Sequence, residues 1–200
     1  MSKVITISRE FGSGGREIGF RLAEKLGIPY YDKEIIAIAA EDNNIAEEVF
    51  HANDEVIGSK ERINHDYVSV NPFSPLYEVP VSDQLFMLQS QIIRKLEQEG
   101  PCVLIGRCSD IIVEDAFRVF ICAGMKKRIE RMQRLEPNET ARKLEARMRE
   151  IDRKRRDYYQ YYSGNEWGNP RNYDLSLNSG RLGIEKCVEM IAACLELERK

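Results

Sequence analysis

Ser8 to Gly19, SREFGSGGREIG, lies between an apolar β-branched run, Lys3 to Ser8 (KVITIS), and a segment with apolar residues at Ile18, Leu22 and Leu26. The run has the composition of a buried strand, and the i, i+4, i+8 stripe is that of an amphipathic helix, with Gly27 as a stop. A glycine-rich turn joining strand to helix forms an anion site, because first-turn N–H groups are unpaired and the macrodipole favours negative charge there. The phosphate-binding pattern GxxxxGK[ST] adds a lysine for the outer phosphates and a hydroxyl for Mg²⁺. Here the turn reads Gly12-Ser13-Gly14-Gly15-Arg16-Glu17. The glycines remain, the lysine is absent, and Arg16 is the nearest cation that could stand in for it. A plainer reading, in which the glycines only permit a tight turn, stays open from the motif alone.

Working outward, strands and helices alternate. Ile28 to Tyr31 reads as a short strand ending at Asp32, and Lys33 to Ala40 opens a helix with a wide apolar face. Residues 41–81 hold both histidines and the segment NPFSPLYEVP, and read as an excursion from the sheet. Ser82 is a plausible N-cap for a helix over Asp83 to Gln98. Cys102 to Ile105 and Phe117 to Cys122 read as buried strands, Lys126 to Leu135 as a charged helix, and Asn138 to Tyr162 as another, capped by Asn138 or Thr140. A Gly/Asn/Pro loop from Ser163 to Tyr173 leads to a last strand, Asp174 to Leu177, and a closing helix, Ile184 to Leu197. Tyr158, Tyr159, Tyr161 and Tyr162 fall at helical spacing and read as packing residues. Such alternation argues a parallel sheet covered on both faces, with ligands at the carboxyl ends of its strands. Gly12, Asp32 and Arg107 all follow such ends.

Composition sets the limits. Two hundred residues suit one α/β domain, residues 1–200, able to bury a core without disulfides or metal. A formal charge of −3 gives no general case for binding a nucleic-acid polymer. Five cysteines include no CxxC pair, so neither zinc nor a disulfide framework is expected. Without a membrane-length apolar run or a signal-peptide pattern, the expectation is a cytoplasmic protein that does not engage membranes. Nothing in the sequence sets an oligomeric state.

The ordered set ISREFGSGG, PYYDKEII, VLIGRCSDII, RVFICAGMKKRIERM, DRKRRDYYQYY and NYDLSLNSGRLGIEK resembles the cytidylate-kinase-like family of nucleoside monophosphate kinases. The resemblance covers nearly the whole chain, most weakly over 41–81. It implies a three-layer α/β/α P-loop kinase fold with a five-stranded parallel sheet, an acceptor-binding insertion near 41–81 and a helical lid near 138–173. The implied activity is transfer of the γ-phosphoryl of ATP to CMP or dCMP, with Mg²⁺ as cofactor and small-molecule nucleotides as partners.

Carried over residue by residue, Gly12, Ser13 and Gly14 match the family's phosphate cradle. Gly15 falls at the lysine position and Glu17 at that of a threonine. Asp32 matches an aspartate near the acceptor, followed here by Lys33 where the family typically has serine. Arg107 matches the arginine that contacts the acceptor phosphate, with Cys108 in place of the family's aspartate. Asp152 and Arg155 meet a lid pattern, with Arg153 and Arg156 beside them, and Cys122 replaces an aspartate that often helps recognise cytosine. Roles in catalysis are thus expected of Arg16, Asp32, Arg107 and Arg155; in nucleotide binding of Gly12 to Glu17 and Arg153; in acceptor binding of Asp32, Lys33, Arg107, Asp152 and Arg155. Glu17 and Asp32 are the candidate Mg²⁺ ligands.

Each assignment has a structural counterpart: Asp32 also suits a helix cap, Glu17 complements a helix dipole, and charge runs are commonly solvated faces. Phosphoryl transfer itself asks mainly for positioned cations. An anionic acceptor needs no strong base, whereas an alcohol would use Asp32 as one. The arginines at 107 and 147–156 tilt the expectation toward an anion. Two alternatives remain: a kinase of the same fold acting on another small metabolite, and a non-catalytic nucleotide or phosphate sensor.

Overall fold

The computed structural model describes residues 4–33, 35, 37, 38, 41 and 81–197. Residues 42–80 of the expected insertion, His51 and His65 included, lie outside the described residues, as does part of the helix read over Lys33 to Ala40.

Five parallel strands form one sheet in the order β2-β3-β1-β4-β5. They are β1 (Ile5–Arg9), β2 (Tyr30–Tyr31), β3 (Val103–Ile105), β4 (Phe117–Cys122) and β5 (Leu175–Asn178). Among the described residues, the α-helices with both ends defined are α1 (Gly15–Leu26), α2 (Val81–Glu99), α3 (Ser109–Ile112), α4 (Met125–Leu135), α5 (Ala141–Ser163), α6 (Ser179–Leu182) and α7 (Ile184–Leu197).

Alternation along the strands divides the core into two layers. Ile5 and Ile7 join Val103, Ile105, Val119 and Ile121 against Ile18 and Leu22 of α1 and Val188 and Ile191 of α7. Val4 and Leu104 pack instead with Leu85, Ile92 and Ile93 of α2 and with Ile112. The result is the three-layer α/β/α arrangement. Each fully buried Ile or Leu in these layers contributes about 1.5–3 kcal/mol. Apolar pairing in β4 and the closing helix follows the sequence reading closely, whereas β1 extends one residue further, to Arg9. No described helix is long and apolar enough to cross a membrane.

Helix α5 sits against the carboxyl edge of the sheet. Thr140 caps it, accepting the Lys143 N–H at 3.3 Å, which decides between the two caps read from sequence. Its first half places Leu144 and Met148 with Met132 and Phe11. Its second half buries Tyr158 and Tyr159 against Cys108 and Phe86. Phe86 stacks on Tyr162 at 3.8 Å, and the Tyr162 hydroxyl donates to Asp83 at 2.6 Å. Tyr158, Tyr159 and Tyr162 therefore pack, as their spacing suggested, and fasten α5 to α2, whereas Tyr161 is exposed.

Candidate active site

The glycine turn forms where β1 runs into α1. Gly12 and Gly14 have φ of 75° and 84°, a region that side chains with a Cβ avoid, and both lie in the strand-to-helix turn. Ser13 is fully buried, and its hydroxyl accepts the Gly15 N–H at 3.3 Å. Side chains from two helices, α4 and α6, hold carbonyls of the turn. Arg128 donates to Phe11 at 2.7 Å, Arg131 donates to Gly12 at 3.0 Å, and the Ser179 hydroxyl donates to Ser13. With its carbonyls turned outward, the loop presents the amide end of α1 toward the crevice above the strands.

Asp152 belongs to this scaffold. Its carboxylate accepts the Phe11 N–H at 2.8 Å and pairs with Arg128, both side chains buried. Arg128 also stands 3.5 Å from Glu10, whose carboxylate accepts the Ala123 N–H. Arg155, one helical turn on, donates to the Arg9 carbonyl at 3.1 Å, and its guanidinium lies 5.9 Å from the Phe11 ring centroid. Arg153 points away: it is largely exposed and 3.9 Å from Asp157. Asp152, Arg155 and the glycine turn are thus brought together, and Arg153 is not brought with them.

A second cluster lies across the strand ends. Asp32, buried just after β2, meets the Arg16 Nε directly, Arg107 at 3.5 Å and Arg9 at 4.0 Å. Arg107, itself buried, also donates to the Asp32 carbonyl at 2.7 Å. Arg107 and Cys108 both have φ of 54°, and two consecutive non-glycine residues in this region cost on the order of 1 kcal/mol each. Such strain persists where the surroundings impose it, here by aiming the Arg107 side chain back at Asp32. Burial pulls the Arg16 guanidinium down, but the charge and hydrogen bond of Asp32, helped by Tyr30, raise it on balance. Tyr30 is pushed up to about 12, first by burial and then by the Asp32 charge. Lys33 is exposed beside the cluster.

Neither candidate metal ligand suits Mg²⁺ in this arrangement. Asp32 is already surrounded by guanidinium groups, and Glu17 pairs with Arg21 at 2.6 Å on the outer face of α1. Among the described residues no cluster of three or more His, Cys, Asp or Glu could hold an ion. Mg²⁺ on a nucleotide keeps several waters and needs only one or two protein oxygens.

Cys122 ends β4, and its thiol donates to the Leu177 carbonyl at 3.6 Å. It lies three strands from β2 and Asp32 in the sheet order. Arg9, Arg128, Arg131 and Ser179 join the site without having been read from sequence. Arg9 carries the signal that marked Arg107, a cation at the carboxyl end of a strand, but reads alone as the polar terminus of β1.

A family model described as the cytidylate kinase-like family matches residues 4–181. Among solved structures, an uncharacterized protein from Eubacterium ventriosum is similar at TM-score 0.73 and 24% identity, over 97% of this chain and 98% of that one. A shikimate kinase from Bacteroides thetaiotaomicron gives 0.56 and 14%, over 97% and 98%. A gluconokinase from Sinorhizobium meliloti gives 0.53 and 14%, over 99% and 96%. At these identities the likeness is one of fold, that of the P-loop kinases. No curated protein matches significantly.

Proposed function

The chain belongs to the cytidylate kinase-like family, and from that premise we propose that it transfers the γ-phosphoryl group of Mg-ATP to a nucleoside monophosphate, with CMP or dCMP the leading acceptor. The observation that carries this reading is the convergence of Arg9, Arg16 and Arg107 on one buried carboxylate beside a glycine turn. In the reaction an anionic oxygen of the acceptor phosphate forms a bond to the γ-phosphorus. The bond to the bridging oxygen breaks, and ADP leaves with that electron pair. The attacking oxygen carries no proton, so positioned positive charge matters more than a base. Arg107 is assigned the acceptor phosphate. The turn from Gly12 to Arg16 cradles the donor phosphates, and Arg155 closes over them from α5.

Asp32 then acts as a positioning residue that fans three guanidinium groups across the crevice. Its place at the end of β2 also suits proton removal from an alcohol, which favours the second reading, a small-metabolite kinase of the same fold. A phosphoryl-transfer assay with Mg-ATP over CMP, dCMP, UMP, AMP, shikimate and gluconate, run beside calorimetric ATP titration, tests both. Turnover on CMP or dCMP is the expected result. Turnover only on an alcohol would replace it with the second reading, and ATP binding without turnover on any acceptor would make the protein a sensor.

A further inference from the structure

Gly15 occupies the place where the phosphate-loop pattern has lysine, and the space around it is filled. A Cβ at this position would stand 2.5 Å from the Arg9 Cβ, 3.1 Å from its Cγ and 3.3 Å from the Ile121 Cβ. No side chain can enter there, because the Arg9 stem starts from nearly the same point. The stem then runs into the crevice, with the Arg9 side chain only 12% exposed. Its guanidinium abuts Gly106 with one terminal nitrogen foremost: a Cβ there would be 1.8 Å from that nitrogen and 2.9 Å from Cζ. From this position it is 4.0 Å from Asp32, between the phosphate loop and Arg107.

Other cations near the loop are differently placed. The Arg16 side chain is 57% exposed, with its Nε given to Asp32. Arg128 and Arg131 bond carbonyls on the outward side of the turn.

We propose that Arg9 is the cation of the phosphate loop, entering from the end of β1 through the space that Gly15 leaves, and contacting the transferring phosphoryl between donor and acceptor. A guanidinium can bridge two phosphate oxygens, which one ammonium does as a point charge. The proposal rests on the phosphoryl-transfer reading above and adds to it which residue supplies the charge.

The test uses the full chain as Arg9→Met, Arg9→Lys, Gly15→Lys and the exchange pair Arg9→Gly/Gly15→Lys. Affinity for the Mg²⁺ complex of the non-hydrolysable analogue AMP-PNP is measured by calorimetry, AMP serves as the control ligand, and turnover and thermal melting are followed in parallel. Arg9→Met keeps the stem and is expected to lose at least about tenfold in AMP-PNP affinity and about 10²–10³-fold in turnover, with AMP affinity held. Arg9→Lys should retain part of both. Gly15→Lys alone should lose both, because the lysine meets Arg9, whereas the exchange pair should recover at least about tenfold over Arg9→Met.

AMP-PNP affinity and turnover of Arg9→Met equal to wild type would overturn the proposal, as would a folded exchange pair no better than Arg9→Met. If the pair fails to fold, the contrast between Arg9→Met and Arg9→Lys decides. Failure of the kinase reading looks different, since wild type itself would neither bind AMP-PNP nor transfer to any acceptor.

Discussion

Arg107 and Asp32 were legible in the sequence because each follows a strand end, where a long cation or a lone carboxylate has little packing purpose. The contact of Asp152 with Phe11 and Arg128 was not legible, since a helix pattern does not tell which loop a carboxylate will hold. Arg107→Lys keeps a charge but shortens the reach of the group whose Nη1 meets both the Asp32 carbonyl and its carboxylate, and loses the second nitrogen that could meet a phosphate. Steady-state kinetics should give about 10²-fold lower kcat/KM for the acceptor, with the KM for ATP nearly unchanged. A larger effect on ATP than on the acceptor would move Arg107 to the donor side.

Asp110 gives a separate prediction at the same scale. Burial raises its carboxyl above the ordinary value, against the opposing hydrogen bond from Tyr159, 2.8 Å away, and the charge of Arg118. A carboxyl raised on folding holds its proton more tightly in the native state, so its contribution favours the fold at low pH and is lost as pH climbs through the raised value. Asp110→Asn removes that penalty. Its Tm should exceed wild type at pH 7–8, with the gap closing toward the ordinary carboxyl pKa of about 4. A gap independent of pH would show that the carboxyl is not the titrating group.

At the scale of elements, β4 and α7 were readable because a continuous apolar run and a sustained stripe each persist through a whole element. The four-residue helices α3 and α6 were not readable: a single turn has no period to detect. Their formation depends on tertiary partners, such as the Ser179 hydroxyl on the phosphate loop and Cys108 packed under α5. Helix α5 joins the loop to α3, carrying Asp152 and Arg155 to the loop and Tyr159 to Asp110. Asp152→Asn discharges the pair with Arg128 while keeping an oxygen for the Phe11 N–H. Glu10 remains 3.5 Å from Arg128, so the loss belongs at the lower end for a broken buried pair, about 3 kcal/mol, or roughly 6–12 °C in Tm. Thermal melts should show that drop together with weaker AMP-PNP binding. A drop in Tm with undiminished binding would separate α5 from the loop's function.

Across the whole molecule, the chain leaves β1 toward β2 and leaves β3 toward β4, so the two connections part in opposite directions between neighbouring strands. The crevice opened there is where ligands bind in sheets of this kind. Arg9 follows one lip and Gly106-Arg107 the other, which is why residues 98 apart in sequence act on one carboxylate. The strand order follows from no local pattern, and without it Arg9 and Gly106 cannot be seen to meet. A ligand in this crevice should stabilise the entire fold: AMP-PNP at a hundred times its Kd adds about 2.7 kcal/mol, several degrees in Tm. Differential scanning calorimetry with and without the analogue measures the shift.

The displacement of the loop's charge from position 15 to Arg9 also changes which covalent chemistry can find the site. From Arg9 to Arg16 the loop carries no primary amine, and a guanidinium, protonated at neutral pH, is a poor acceptor of acyl groups. Acylating ATP derivatives that mark nucleotide sites through a loop lysine will leave this loop unlabelled. An arginine-directed dicarbonyl reagent will modify it, and nucleotide will shield it from that reagent.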